Sequence, residues 1–342
     1  MKRLDLGGKW KIKQTGSSTW MAAEVPGTVL SSLLKNGCIA DPYDRMNEYE
    51  AREWLEKDYC FETEFALPDG WEEEPGKTEL VFEGLDTIAQ IWLNGSLLGT
   101  ADNMHRTWRW DCSDRLEETN VLRVDFRSPI AWCAEHPATP GKEIDYAACG
   151  SMKHTQYIRK AHSMFGWDWG PQLPDMGIWR PVRLERYQVR LGEIRFSQKH
   201  GSAGVELSAE QWVEGLCDLP EEWDCGYRLT VSLKDDQGCL IARETKAIRE
   251  NSEGAPLQTR PAGSALFQMK IEAPHLWWPN GMGAQPLYEV TVQLQDGSGR
   301  VLEEQIRRIG LRTLTVSTER DCWGREFALM VNGVKIFAKG AD

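Results

Sequence analysis

The segment with the clearest chemical potential is Phe165–Pro171, in which Trp167 and Trp169 flank Asp168. A carboxylate accepts strong hydrogen bonds from hydroxyl groups, and an indole face can cover the apolar C–H face of a pyranose ring. Two indoles around one acid therefore suit a sugar-binding site. The same composition also fits a tight turn whose tryptophans fill the core and whose acid bonds to its own backbone. The segment alone leaves both interpretations open.

Glycine and proline shape the backbone that must position this acid. Gly166 and Gly170 permit backbone angles that other residues avoid, while Pro171 fixes its own φ and has no N–H to donate. We therefore expect neither a regular strand nor a helix here. The segment lies within residues 128–177, where hydrophobic periodicity fades. A connector of that length in a compact domain is usually functional.

Other catalytic arrangements are not visible in the sequence. The six histidines have no H-x-x-x-H spacing, so a metal site lacks support. No nucleophile elbow, phosphate-binding loop or dinucleotide-binding motif is present. Spacing alone cannot select an acid/base pair from 52 acidic residues. We predict no metal and no cofactor.

The composition is that of a globular protein of more than one domain. The chain has 342 residues, of which 41% are hydrophobic and 27% are charged, so two domains and a fragment of a third are expected. Sixteen tryptophans indicate large β-sheet cores, carbohydrate stacking or both. A net charge of −12 argues against nucleic acid or an anionic membrane as partner.

The cysteines and the amino terminus predict a reduced, cytoplasmic protein. The nine cysteines are scattered and contain no C-x-x-C, which supports neither a disulfide framework nor a zinc site. The amino terminus turns polar at once and has no apolar segment of the signal-peptide type. No stretch approaches 18 apolar residues, so no membrane span is expected.

Residues 1–187 read as a first, all-β domain. Alternation at Tyr59 and Phe61 predicts a strand, and Asn94-Gly95 between two apolar runs predicts a hairpin. A helix is expected from Thr28 to about residue 36, with Thr28 as its N-cap. No βαβ repeat is present, so a parallel sheet is not expected.

Residues 188–316 read as a second β-sandwich of about seven short strands, of the immunoglobulin-like type without a disulfide. Its Leu276–Gly281 segment has two tryptophans, which fit an aromatic plug better than a ligand contact. Residues 317–342 contain a second Asn-Gly hairpin at Asn332-Gly333. The expected strands of the sandwich are 205–207, 227–234, 240–245, 266–271, 287–294 and 301–312.

Several segments together resemble the amino-terminal half of the β-mannosidases of glycoside hydrolase family 2. The Trp-Asp-Trp-Gly-Pro signature within Phe165–Pro171 narrows the resemblance to the mannosidase branch, whereas the sheet motifs occur across the family. The resemblance covers essentially the whole chain. The matching segments are Val25–Val29, Ile39–Tyr43, Asn47-Glu48, Phe82–Thr87, Trp92–Gly95, Arg159–Ala161, Phe165–Pro171, Gly177–Val182, Leu276–Gly281 and Val331–Gly340.

The resemblance implies a jelly-roll, galactose-binding-like domain followed by the immunoglobulin-like one, and a (β/α)8 barrel that carries two catalytic glutamates for a retaining displacement. Residues 317–342 would form a hairpin leading into that barrel, which is missing here. The chain would then hold no catalytic residue and would be inactive alone. Asp168, with Trp167 and Trp169, would contact the terminal sugar of a β-mannoside, so the expected partners are that glycoside and the missing barrel.

Two alternatives remain open from the sequence. The chain could be a free-standing carbohydrate-binding β-sandwich protein that has no barrel. It could instead be part of a sister enzyme of family 2, such as an exo-β-glucosaminidase or a β-galactosidase.

Overall fold

A computed structural model describes residues 1–73, 76–136, 150–215, 226–248 and 261–340. The chain divides into two compact units, Lys2–Tyr187 and Gln188–Asp342, the latter together with Met1. Cys149, Cys217 and Cys225 lie outside the described residues, and the six described cysteines are free thiols.

In its described residues, the first unit is built mostly of strands, with three short α-helices. Its strands are β1 (Lys2–Asp5), β2 (Gly8–Gln14), β3 (Met21–Val25), β4 (Gly27–Thr28), β5 (Tyr59–Ala66), β6 (Lys77–Phe82), β7 (Ala89–Leu93), β8 (Ser96–Ala101), β9 (Trp108–Asp111), β10 (Thr119–Phe126), β11 (Phe165–Trp167), β12 (Gly170–Gln172), β13 (Gly177–Ile178) and β14 (Val182–Tyr187). Its helices are α1 (Val29–Lys35), α2 (Asn47–Leu55) and α3 (Pro129–Glu135).

Two antiparallel sheets form the sandwich of this unit. One sheet has the order β1-β14-β6-β9 and the other β3-β2-β5-β10-β7-β8. Alternate residues of each strand point inward, so Ile12, Phe61 and Val124 from the larger sheet share one core with Phe82 and Leu184 from the smaller. The expected jelly-roll type of sandwich is confirmed, and the Asn94-Gly95 hairpin joins β7 to β8.

Helix α1 begins where the sequence predicts. The Thr28 side chain accepts a hydrogen bond from the Ser31 backbone N–H, and the Ser31 hydroxyl accepts one from the Thr28 N–H. This reciprocal pair satisfies two backbone donors that a helix start would otherwise leave free. The predicted N-cap is therefore confirmed.

On the outer face of the smaller sheet, the buried carboxylate of Glu185 links charged side chains from neighbouring strands. Glu185 accepts bonds of 2.7 Å from both Arg109 and Arg183, and Arg109 also contacts Glu79 at 3.1 Å. Burial by itself raises the pKa of Glu185, but the hydrogen bonds and charges of the two guanidinium groups outweigh it and lower the pKa to about 2.

This shift predicts an acid-sensitive first unit. Because the folded pKa of Glu185 lies below its ordinary value of 4.5, the unfolded chain binds the proton more tightly between about pH 2 and pH 4.5. The stabilisation is thus complete above pH 4.5 and is lost as the pH falls towards 2. The free energy of unfolding, measured with urea at several pH values, should depend less steeply on pH between about pH 2 and pH 4.5 in Glu185→Gln than in the wild type. The control is Glu64→Gln, which removes one member of the mostly exposed Lys11–Glu64 pair. The same dependence on pH in all three proteins would contradict a role for Glu185 in the acid sensitivity.

In its described residues, the second unit begins with a sandwich of seven strands, which are β15 (Arg190–Gly201), β16 (Gly204–Glu214), β17 (Arg228–Lys234), β18 (Leu240–Ala247), β19 (Pro261–Ile271), β20 (Tyr288–Gln295) and β21 (Val301–Ile309). Its sheets have the orders β15-β16-β19 and β18-β17-β20-β21, and both are antiparallel. Phe267 from the first sheet and Val231 and Val292 from the second lie in one core. The immunoglobulin-like expectation is confirmed.

A small sheet follows the sandwich in the same unit. It consists of β22 (Leu314–Ser317), β23 (Ala328–Val331) and β24 (Val334–Lys335), and the Asn332-Gly333 turn joins the last two strands as predicted. The Trp277 backbone carbonyl accepts a 3.0 Å bond from the Asn332 side chain, and the Trp277 ring packs against Gly310. The Leu276–Gly281 segment therefore packs against residues of its own unit.

Within the ranges that the structure describes, no helix is long and apolar enough to cross a membrane.

Candidate functional site

The segment around Asp168 forms a short β-hairpin, so the expectation of no regular strand is wrong. Phe165 pairs with Gln172, and Trp167 pairs with Gly170, which leaves Asp168 and Trp169 as the two-residue turn. The physical reason lies in the glycine at 166. Its φ is +88°, and a Cβ there would come within 2.4 Å of the Gln172 side chain, so only glycine lets the two strands approach.

The two indoles of the hairpin do not fill the core. Trp167 is 40% exposed and Trp169 is 79% exposed, and their ring centroids lie 6.1 Å apart with 42° between the planes. Exposed indoles on a turn are costly unless something covers them, because a large apolar surface then faces water. The core-filling interpretation of this segment is therefore wrong.

The Asp168 carboxylate is exposed and does not tie the turn to its own backbone. It makes no hydrogen bond and no ion pair to any residue in the described part of the chain. In most two-residue or three-residue turns that contain Asp, the side chain bonds to a nearby backbone N–H. No residue that the structure describes therefore uses the acceptor capacity of the Asp168 carboxylate.

A cleft of about 580 Å³ lies beside the hairpin, and Asp168 and both indoles line it. The opposite wall comes from the turn before α2 and from the first two turns of α2. Its lining side chains include Tyr43, Arg45, Glu48, Tyr49 and Arg52. Aromatic faces together with acceptors and donors on both walls suit a ligand rich in hydroxyl groups.

Sequence reasoning missed this second wall. In the sequence, Ile39–Tyr43 and Asn47-Glu48 stand out only as segments that match the family, with no role at a site, whereas residues 47–55 form helix α2 beside the hairpin. An available signal was the aromatic residue directly after the turn proline, Tyr43, which lies on no strand or helix face that could bury it. Its proximity to Asp168 is a long-range contact that no local pattern encodes.

The two walls are joined by side chains at the floor of the cleft. The Arg52 guanidinium donates to the Gln172 side-chain oxygen and stacks on the Tyr49 ring at 5.3 Å from its centroid. The Gln172 amide nitrogen donates to the Gly150 carbonyl at 2.6 Å. The orientation of Tyr49 and the position of β12 are therefore coupled.

The base of the hairpin is anchored in a small core of its own. Phe165 is buried with Ile158 and Cys133, and the Trp132 and Met152 side chains pack against them. This anchor fixes the start of β11, while the turn at its tip remains in solvent. The base of the hairpin is therefore packed against neighbouring residues, whereas its two-residue turn is exposed.

A buried lysine braces both arms of the same hairpin. Lys160, which precedes β11, donates to the Asp86 carboxylate and, at 2.6 Å, to the backbone carbonyl of Asp175, which follows β12. Both side chains of the Lys160–Asp86 pair are almost fully buried. Burial lowers the pKa of Lys160 below its ordinary value of 10.5, although the charges of Asp86 and Asp175 act in the opposite direction.

Asp175 links this brace to helix α1. One of its carboxylate oxygens accepts bonds from the backbone N–H groups of Leu30, at 3.1 Å, and Met176, at 2.8 Å. Leu30 lies in the first turn of α1, where backbone donors lack partners within the helix. Burial nevertheless raises the pKa of Asp175 to about 6.

Arg159, the neighbour of Lys160, has a different environment. Its guanidinium donates to the Asp102 carboxylate at 2.7 Å, and both side chains are exposed. The Arg159 carbonyl accepts from the Met104 N–H at 3.0 Å, which holds this segment against the residues after β8. The Arg-Lys-Ala motif therefore combines one exposed and one buried cation.

A second cavity, of about 650 Å³, lies on the outer face of the larger sheet. Its charged groups are already paired with one another or with neighbours, as in the 2.8 Å Arg123–Asp125 contact. The ring of Trp20 at its rim is covered by the Lys13 ammonium group, 4.5 Å from the centroid. The cleft beside Asp168 is the stronger candidate because, among the described residues, no such charged partner contacts the Asp168 carboxylate or its two neighbouring indoles.

No group of three or more His, Cys, Asp or Glu side chains is placed to hold a metal ion within the described ranges. The side chains that line the Asp168 cleft can hydrogen bond and stack. A single free carboxylate with indoles can orient a polyol, but the geometry described here assigns no acid/base pair to it.

Comparisons with known protein families identify the class of this chain. Residues 10–180 match the glycosyl hydrolase 2 galactose-binding domain-like family, and residues 204–312 match glycosyl hydrolases family 2. The first match covers the sandwich with the Asp168 hairpin, and the second covers most of the immunoglobulin-like sandwich. The chain belongs to glycoside hydrolase family 2.

Curated relatives narrow the similarity to one branch. The chain is 30% identical to a β-mannosidase of Mus musculus, with 98% of this chain and 38% of the relative aligned. It is 31% identical to β-mannosidase B of Aspergillus clavatus, with 100% of this chain and 39% of the relative aligned. The chain therefore spans less than half the length of these relatives.

Solved structures agree with this result. A β-D-mannosidase from Dictyoglomus thermophilum superposes with a TM-score of 0.87 and is 29% identical, covering 100% of this chain and 40% of that one. A β-glucuronidase from Ruminococcus gnavus superposes with a TM-score of 0.59 at 16% identity, over 99% of this chain and 49% of that one. The latter likeness concerns the fold alone.

Proposed function

We propose that this chain is the amino-terminal, non-catalytic part of a retaining exo-β-mannosidase that removes terminal β-D-mannose residues from the non-reducing end. One observation carries the proposal: β-mannosidases align with 98% to 100% of this chain, whereas the chain spans only 38% to 39% of their length. A longer protein of this type has room for a catalytic barrel after the two sandwiches.

In this proposal the hairpin supplies part of the terminal sugar subsite. The Asp168 carboxylate accepts hydrogen bonds from mannose hydroxyls, and Trp167 and Trp169 shield the ring from water. The support is the free carboxylate and the exposed indoles at the cleft. Two glutamates of the barrel would act as acid/base and nucleophile in a double displacement. The cytoplasmic location expected from the sequence stays a prediction.

The first test is to read the coding sequence beyond codon 342 and to express the longer protein. On a panel of nitrophenyl glycosides it should hydrolyse the β-mannoside fastest. Preference for the β-glucosaminide or the β-galactoside would instead identify a sister enzyme of family 2. A stop codon directly after residue 342 would favour the free-standing carbohydrate-binding protein.

The 342-residue chain serves as the control in the same assay. It should not turn over nitrophenyl β-mannoside, because a retaining displacement needs the acid and the nucleophile. It should bind mannose with a dissociation constant above about 1 mM, since one carboxylate and two indoles scarcely offset the cost of association. Turnover above a contaminant control, or calorimetric binding below about 1 mM, would contradict the proposal.

A further inference from the structure

The wall of the cleft opposite Asp168 has its own exposed aromatic surface. Tyr43 is 78% exposed and Tyr49 is 47% exposed, and both line the cleft. Arg45 and Glu48 line it between them and add a donor and an acceptor. Exposed aromatic rings that are clustered, rather than scattered singly, mark surfaces that bind something.

Tyr49 is held in a defined orientation. Its ring packs under the Arg52 guanidinium, which is itself bonded to Gln172 of the hairpin. A rigid aromatic face loses little conformational freedom when a ligand stacks on it, so more of the contact energy appears as affinity. Strand β12, which supports the turn at Asp168, therefore also holds the Tyr49 ring in place through Gln172 and Arg52.

The cleft is larger than a single sugar ring bound at the hairpin would fill. Its volume of about 580 Å³ lies well inside the range of roughly 300–1,000 Å³ that is found for ligands of drug size. The acid and the indoles occupy one wall, and the tyrosines occupy the other. A ligand of one ring at Asp168 would leave the second aromatic surface without a function.

We propose that Tyr43 and Tyr49, with Arg45 and Glu48, form a subsite for the sugar unit that is joined to the terminal one. This inference rests on the proposed function, since it takes the terminal unit to lie at Asp168. The ligand class is a β-linked mannose oligosaccharide, in which the second ring stacks on a tyrosine and its hydroxyls bond to Arg45 and Glu48. The wall thus selects oligosaccharides over simple alkyl glycosides.

The test compares two substrates that share the terminal unit. The longer protein is assayed with methyl β-mannoside, which releases methanol, and with β-linked mannobiose, which releases mannose; both leaving groups are aliphatic alcohols. Tyr43→Ala should lower kcat/KM for the mannobiose about 10-fold, which corresponds to about 1.4 kcal/mol, and should leave methyl β-mannoside within about 2-fold. Tyr43→Phe keeps the ring and should retain most of the activity on both.

A matched control is Tyr157→Ala, because Tyr157 is also an exposed tyrosine of this unit but does not line the cleft. It should change neither substrate. Equal losses on both substrates for Tyr43→Ala, or no loss on either, would overturn the subsite while leaving the proposed function intact. A wild-type protein that hydrolyses neither β-mannoside would overturn the proposed function, and the subsite with it.

Discussion

Lys160→Met is expected to lower the free energy of unfolding of the first unit by about 3–5 kcal/mol. Methionine keeps most of the side-chain volume but removes the ammonium group. The Asp86 carboxylate would then remain buried without its partner, and the Asp175 carbonyl would lose its donor. Removal of one member of a buried ion pair costs more than the pair contributes, since the remaining charge cannot be solvated.

Thermal and urea unfolding of the 342-residue chain measure this effect. For a unit of this size, the loss corresponds to a decrease of roughly 6–20 °C in the midpoint of the first unit. Arg159→Met is the control, because it removes an exposed ion pair that contributes well under about 1 kcal/mol. The double variant Lys160→Met with Asp86→Asn should recover at least part of the loss, since a neutral amide is less costly to bury.

A midpoint that is the same for Lys160→Met and Arg159→Met would contradict the buried brace. The prediction also has a local consequence. Because Lys160 bonds to the segment after β12 from the segment before β11, amide exchange at the hairpin should accelerate more than elsewhere in the unit. Uniform acceleration over the whole unit would mean that the lysine stabilises the sandwich but does not brace the hairpin.

The second large effect concerns Asp168 in the longer protein. A hydrogen bond to a charged group contributes about 1.5–3 kcal/mol, so Asp168→Ala should lower kcat/KM on a β-mannoside roughly 10- to 150-fold. Asp168→Asn keeps the shape and one acceptor, and it should lose less. Kinetics with nitrophenyl β-mannoside would measure both losses.

The same two variants should leave the melting temperature almost unchanged. Asp168 is exposed, and its carboxylate has no partner in the described part of the chain, so its removal breaks no internal contact. Asp114→Ala, at an exposed acid outside the cleft, is the control for both measurements. A lower melting temperature with kcat/KM near that of the wild type would end the functional claim for this hairpin.

The parts of the fold that the sequence predicted are those in which local chemistry determines the conformation. The Thr28 cap, the Asn94-Gly95 hairpin and the Asn332-Gly333 hairpin each depend on residues within a few positions of one another. The alternation of Tyr59, Phe61 and Phe65 in β5 likewise marks the side chains that pack into the core of the first unit. The fold class followed from such patterns and from the resemblance.

Strand β15 was missed because its pattern is weak without its partner. Only Leu191 is fully buried in Arg190–Gly201, the register shifts between Leu191 and Ile194, and most of the remaining residues are polar. Its pairing with β16 supplies the hydrogen bonds that make it a strand. Such pairing is a tertiary property, since β propensity depends on cross-strand neighbours more than on the segment itself.

By itself the sequence determined the β architecture and singled out Asp168, because glycine, proline and two indoles around one acid are a local signal. Only the tertiary structure decided which of two adjacent cations is buried, Lys160 or Arg159, and which side chains face the acid across the cleft. Tyr43 is far from Asp168 in the sequence, and their proximity depends on the packing of α2 beside the hairpin. The physical reason is that burial and proximity arise from contacts between distant segments, whereas caps, turns and alternation are encoded within a few residues.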